Sequence, residues 1–194
     1  MGGSKYSAAL IRIKEVNNMF LFCDQATNVT GWSYYSKPFI LNAHGIIDLS
    51  KMPKQGVENQ VEKRFELIQQ LKELVVKYNI RLITTEGVYC HDNLDTHKKL
   101  AATQASIQDY CRNSNSNITC FSWENAGEWR SFLKIPTYQN GKKLKSDVLK
   151  ELTKQFVLVH YDVPDNLKSD EYDAIGMGHA YFVMLEQKGL NKIE

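Results

Sequence analysis

The sequence predicts an α/β fold: a mixed five-stranded sheet, with an antiparallel meander of three strands continued by parallel ones, and helices on both faces. Two observations predict it. Short runs rich in aromatic and β-branched residues follow one another between Phe20 and Ile47, as consecutive strands do. After them, segments with helical and strand-like patterns alternate, which places helices over a partly parallel sheet.

The elements follow in order. Phe20-Leu21-Phe22-Cys23 is a short apolar run ending at Asp24, a buried strand. Residues 25–31 read as a turn, and 32–35 and 40–47 as the next two strands. Val57, Val61, Phe65, Ile68, Leu71, Val75 and Tyr78 recur at helical spacing. A strand over 81–85 ends at Glu86. A helix follows over 95–111, then a strand over 118–121 and a short helix over 124–132. Asn140-Gly141 breaks the chain before a helix over 144–156, and a last helix runs over about 170–186.

The 194 residues are most economically one domain over 19–194. A chain of this size buries about 70% of its unfolded surface, so neither metal nor disulfide is needed for folding. Residues 1–18 read as an N-terminal extension or an added leader beginning Met1-Gly2-Gly3-Ser4, with Met19 a candidate start. Apolar residues make up 43% and charged residues 24% of the chain, an ordinary globular balance. The net charge of +2 does not by itself point to nucleic acid. Cys23, Cys90, Cys111 and Cys120 form no C-x-x-C pair or zinc-ligand spacing, and read as reduced thiols. No apolar run reaches the ~18 residues of a membrane-spanning helix. The N-terminus lacks the order of a signal peptide. A cytoplasmic location and no membrane partner are expected.

The chemistry lies in acids. Asp24 ends the first strand and Glu86 the fourth. Asp170 and Asp173, three apart, share one face of the last helix. Functional groups in α/β sheets gather at strand ends. Close carboxylates cannot all ionise without a neutralising cation. Oxygen ligands without Cys or His suit Mg²⁺, with Mn²⁺ able to substitute. Two ions about 4 Å apart activate water and stabilise the leaving oxygen of a phosphodiester. Taken singly, each acid has an ordinary alternative: a turn residue at Asp24, a surface carboxylate at Glu86, a helix-start charge at Asp170.

Four segments carry a resemblance. The run from Phe22-Cys23-Asp24-Gln25-Ala26-Thr27 to Thr30-Gly31-Trp32 resembles the first strand and turn of RuvC-type Holliday junction resolvases, especially phage-encoded ones. Ile83-Thr84-Thr85-Glu86-Gly87-Val88-Tyr89 resembles their strand with a Glu and an aromatic residue three positions on. Gly141-Lys142-Lys143-Leu144-Lys145-Ser146-Asp147-Val148 resembles their basic helix start. Asp170-Glu171-Tyr172-Asp173-Ala174-Ile175 resembles their D-x-x-D-A helix. Gln25 departs from the Pro of many cellular members, and 123–138 matches poorly.

The resemblance implies an RNase H-like fold and a metal-dependent endonuclease for four-way or other branched DNA, using two Mg²⁺ and no small-molecule cofactor. It implies paired symmetric nicks by a homodimer in a bacterial cell or phage-infected host. It makes Asp24, Glu86, Asp170 and Asp173 the metal ligands and catalytic acids. Tyr89 stands where an aromatic enters the branch point. An aromatic ring can stack on an unpaired base for about 1–3 kcal/mol; a core or loop role is the alternative. Lys145, with Lys134, matches lysines near the scissile phosphate. Lys142 and Lys143 join them as phosphate contacts or, alternatively, as a solvated face. The helix over 95–111 would form the dimer interface through Leu100, Ala101, Ala105, Ile107 and Cys111, unless that stripe packs only on the chain's own sheet. His179 reads as a core histidine rather than a ligand. Three other functions are open: a related nuclease acting on structured RNA, an actin-like ATPase or sugar kinase, and a non-catalytic DNA-binding module. The kinase needs a second Gly-rich phosphate loop that this sequence lacks, and the presence of all four acids speaks against the module.

Overall fold

The structure, a computed structural model, describes residues 19–53, 56–88, 93–114 and 117–190. The strands are β1 (Phe20–Asp24), β2 (Val29–Lys37), β3 (Ile40–Asp48), β4 (Leu82–Thr85) and β5 (Thr119–Ser122). They form one sheet in the order β3-β2-β1-β4-β5. β1 to β3 pair antiparallel, whereas β1 with β4 and β4 with β5 are parallel. This is the mixed five-stranded sheet expected, with β1 at its centre.

Among the described residues five helices cover it: α1 (Val57–Tyr78), α2 (Leu94–Asn113), α3 (Ala126–Phe132), α4 (Ser146–His160) and α5 (Ser169–Gln187). Asn side chains start two of them. Asn93 accepts from the Thr96 amide and Asn125 from the Glu128 amide, both at 3.1 Å, satisfying donors a helix start leaves free. Asn79 ends α1 in the left-handed conformation (φ 51°), which Asn tolerates better than most residues.

The alternation of a strand decides what each face receives. Phe20 and Phe22 of β1, with Leu82 of β4, join a core of aromatic rings that includes Trp123, Trp129, Tyr181 and Phe182. Leu21, Cys23 and Ile83 point the other way, into an aliphatic core with Leu67, Leu71 and Ile107 of α1 and α2. Asp24 and Glu86 continue the parity of Phe22 and Thr84, toward the face that carries α3 and α5.

Two sequence expectations need correction. The apolar series on α1 is not one buried stripe: Val57, Val61 and Phe65 are 81%, 50% and 63% exposed. The buried stripe is Lys63, Leu67, Leu71 and Val75, each four residues from the last. Lys63 can join it because its Nζ donates to Asn28 Oδ1 at 2.7 Å, and its stem packs like an apolar chain. Asn140-Gly141, expected only as a break, is the tip of a small hairpin between β6 (Tyr138–Gln139) and β7 (Lys142–Lys143). Both tip residues have positive φ, 51° and 74°, as the favoured two-residue hairpin turn requires.

Candidate active site

The register of the central strands sets the site. Cys23 pairs with Thr85 across β1 and β4, so Asp24 and Glu86 stand side by side at the carboxyl ends of two parallel strands. Gln25 fixes this edge. Its side-chain amide donates to the Glu86 carbonyl, and its Oε1 accepts from the Glu86 amide at 3.0 Å. The buried Gln25 side chain thus acts as one more rung of the ladder, which a proline at this position has no group to form.

α5 brings the other two acids. Its sheet-facing residues include Gly178, where a Cβ would fall 2.4 Å from the Tyr35 ring. Ser33 and Tyr35 of β2 donate to the carbonyls of Ala174 (2.8 Å) and Ile175 (2.9 Å). Gly31 lies opposite Asp24 on β2. A Cβ there would sit 1.9 Å from the Asp170 carbonyl oxygen. The glycine is therefore what lets the first turn of α5 lie against β2, beside Asp24.

The electrostatics report the crowding. Asp24 is held well above the usual carboxylate range, first by burial, then by the negative charges of Asp173, Glu86 and Asp170; Lys150 opposes them. Glu86 is also raised, by burial, against the pull of Trp129, Arg130 and Lys150. Asp173 is raised by burial, against the opposing charge of Arg130. Asp24 is half-buried, so desolvation and like charges act on it together.

Three partners that sequence reasoning missed touch these acids. Trp129 Nε1 donates to Glu86 Oε2 at 2.9 Å. Arg130 Nη2 donates to Asp173 Oδ1 at 3.0 Å, and both side chains are buried. Lys150 of α4 reaches Asp170 Oδ1 at 3.2 Å and Ser169 Oγ at 3.0 Å. Four carboxylates against Arg130 and Lys150 leave two negative charges for protons or a cation to neutralise. All the donor atoms are carboxylate oxygens, which suits a hard divalent ion. Among the described residues no three of these side chains converge as metal ligands. The bonds to Trp129, Arg130 and Lys150 each hold one oxygen of Glu86, Asp173 and Asp170.

The remaining expected residues fall elsewhere. Lys134 follows α3, Lys142 and Lys143 form β7, and Lys145 precedes α4; all four are exposed. Among the described residues none of the four makes an ion pair, and it is Lys150, not Lys145, that reaches the acids. Tyr89 and Cys90 lie outside the described residues. On α2, Ile107 (0% exposed) and Cys111 (4%) belong to the aliphatic core of their own chain. This corrects their place in an interface, since side chains packed on their own sheet have no surface to offer. Leu100 and Ala101 are partly exposed and Ala105 is exposed. Cys23, Cys111 and Cys120 are free thiols. His179 packs among Phe39, Phe156 and Tyr161 and bonds the Tyr161 hydroxyl at 2.9 Å, a core histidine. No described helix is long and apolar enough to cross a membrane.

No protein-family model and no curated protein matches the chain. Solved structures do. Thermus thermophilus RuvC in complex with Holliday junction substrate superposes with a TM-score of 0.62 at 8% identity, covering 89% of this chain and 97% of that one. The yeast mitochondrial Holliday junction resolvase gives 0.57 at 12% identity, over 97% and 90%. Fowlpox virus resolvase, in complex with substrate Holliday junction DNA, gives 0.54 at 13%, over 86% and 98%. The similarity spans nearly the whole of each chain, and this protein has the RNase H-like fold of the RuvC-type Holliday junction resolvases.

Proposed function

We propose that this chain is a structure-selective endodeoxyribonuclease that resolves Holliday junctions and other branched DNA by metal-dependent hydrolysis, making paired symmetric nicks. One observation carries the reading: Asp24, Glu86, Asp170 and Asp173 come from three separate elements to one end of the sheet, and the charges of the other three raise the proton affinity of Asp24. Such crowding of like charge has a use where divalent ions are bound, and fold alone does not supply it. The four acids would hold Mg²⁺ or Mn²⁺, two ions per site, which supply an activated water and charge stabilisation at the phosphate.

The chain's own residues do the rest. Asp24 and Glu86, side by side on parallel strands, present their carboxylates in a fixed relation. Lys150, beside Asp170, is placed to meet a phosphate oxygen at the acids. Lys134, Lys142, Lys143 and Lys145 flank it as contacts to phosphates further along the strands, which position DNA without reading sequence. Tyr89 is assigned to stacking on a base at the branch point. Two nicks on opposed strands need two sites, so the working unit is a homodimer with twofold symmetry. Of the α2 residues, Leu100, Ala101 and Ala105 have the exposure to take part. The cytoplasm of a bacterial cell or phage-infected host is the expected place of action.

The test is a synthetic four-way junction labelled in turn on each strand and incubated with Mg²⁺, Mn²⁺ or EDTA. Symmetric nicks on opposed strands, dependent on the metal and absent from linear duplex, are expected. Equal cutting of linear duplex, preference for structured RNA, or cleavage in EDTA would replace the reading.

A further inference from the structure

We propose that α3 is a carboxylate clamp, in which the adjacent residues Trp129 and Arg130 position Glu86 and Asp173 for the metal; the inference rests on the nuclease reading above. Glu86 ends β4 and Asp173 lies in α5, elements joined only through the fold. Trp129 has a single polar hydrogen and gives it to Glu86 Oε2 (2.9 Å). Arg130 gives Nη2 to Asp173 Oδ1 (3.0 Å) and Nε to Thr153 Oγ1 of α4 (3.2 Å). Thr153 in turn donates to the Leu149 carbonyl (3.0 Å). Each carboxylate therefore has one oxygen spoken for and one left over, and its rotation is fixed by a donor that is itself fixed.

Neither side chain has room to do otherwise. Trp129 is fully buried, and Arg130 is 6% exposed with its guanidinium 4.4 Å from the Trp129 ring centroid. A Cβ on Gly176 of α5 would meet Thr153 at 3.1 Å and the Trp129 ring at 3.3 Å; the bare glycine lets α3 and α4 close on α5 at this level. Trp123, buried in the same core, makes the contrast: its indole N–H has no hydrogen-bond partner among the described residues. A core tryptophan here can thus go without a polar partner, and Trp129 is not simply filling space. Loss of a partner that orients a metal-ligating group typically costs about ten- to a hundredfold in metal affinity.

Mn²⁺ binding to the full chain, followed by loss of the free-ion electron paramagnetic resonance signal, tests the clamp without requiring turnover. Trp129→Phe keeps a ring and removes the N–H. It should weaken Mn²⁺ binding about ten- to a hundredfold while the circular dichroism spectrum stays that of the parent. In a Glu86→Gln background the same change should add nothing, because its route to the metal is through Glu86. Arg130→Lys keeps the charge but cannot span Thr153 and Asp173 together; it should bind Mn²⁺ more weakly than the parent and more tightly than Arg130→Met. Folded Trp129→Phe and Arg130→Lys proteins with parental affinity would overturn the clamp and leave the nuclease reading intact. Equal losses from Trp129→Phe with and without Glu86→Gln would make Trp129 a packing residue only. A parent that binds no Mn²⁺ overturns both readings.

Discussion

One face of the sheet packs aromatic rings under α3, α4 and α5; the other packs aliphatic side chains under α1 and α2. The acids lie on the first. Aromatic side chains bring polar handles into a core, and here the Trp129 N–H and the Tyr35 O–H are spent on Glu86 and on the α5 backbone. Leu, Ile and Val have nothing to orient a charge with. The aliphatic face holds the other side of the strands and contributes to the site at one remove: Lys63 on α1 grips Asn28, in the turn that follows Asp24. The polar site thus lies where the core carries directional groups, and the two faces should respond differently to substitution.

The largest effect should come from the aliphatic face. Ile107→Glu places a carboxylate at a position with no exposure. An unpaired buried charge costs about 3–5 kcal/mol, a large part of a domain's stability. The expected outcome is loss of folded protein in urea titrations, not a folded monomer. A stable, soluble monomer would move Ile107 out of the core and back toward a subunit interface.

A smaller loss is expected where the aromatic face meets the acids. Gly31→Ala forces a Cβ into the Asp170 carbonyl, and the first turn of α5 must lift. Overpacking of this kind costs about 1–3 kcal/mol, so the protein should fold with a reduced urea midpoint. Because Asp170 moves with the turn, Mn²⁺ affinity should fall as well. Unchanged metal binding in a destabilised Gly31→Ala protein would separate α5 packing from the site.

The smallest effect is a pH dependence. Asp24, Glu86 and Asp173 have carboxyls raised in the folded state, chiefly by burial. Between the unfolded and the raised folded values the native state binds more protons, so stability falls as pH rises. This contribution is full below the unfolded carboxylate range of about 4 and is lost as pH climbs through the folded values. His179, pushed down to about 4 by burial and by His160, runs the opposite way. Its contribution is full above its ordinary value and is lost as pH falls toward 4. In EDTA the acids should therefore lower the parent's urea midpoint relative to Asp24→Asn as pH rises through their raised folded values, and Mg²⁺ should restore it by neutralising the same charges. Asp24→Asn should flatten the decline. The same pH dependence in the parent and in Asp24→Asn would mean the acids are not crowded.

Much of this was legible in the sequence, for local reasons. Asp24 and Glu86 each close an apolar run, and Asp170 and Asp173 share a helix face, so neighbouring residues announce them. The succession of elements and the antiparallel trio followed from the β-branched runs. What was not legible depends on distance along the chain. Gln25 and Glu86 are separated by 61 residues, Arg130 and Asp173 by 43, and no periodicity encodes such a pairing. A Trp-Arg pair in a short helix gave one faint signal, a charge beside a large ring in an aromatic-rich segment. Lys150 was passed over because Lys142, Lys143 and Lys145 form the more conspicuous cluster. The burial of Lys63 in place of Phe65 was hidden because apolar spacing defines a stripe without saying which stripe meets the sheet.

All three other acids act on Asp24, so Asp24 bears most directly on the proposed metal-dependent nuclease centre. The direct measurement is single-turnover cleavage of a four-way junction in Mg²⁺ by the parent and by Asp24→Asn, with junction binding measured in parallel. Loss of a partner that merely orients a ligand costs about ten- to a hundredfold, so loss of the ligand itself should cost more. Cleavage reduced by more than about a hundredfold with binding retained is expected, since the proposed phosphate contacts are lysine side chains. Near-parental turnover by Asp24→Asn, or no cleavage by the parent in any divalent metal, would contradict it.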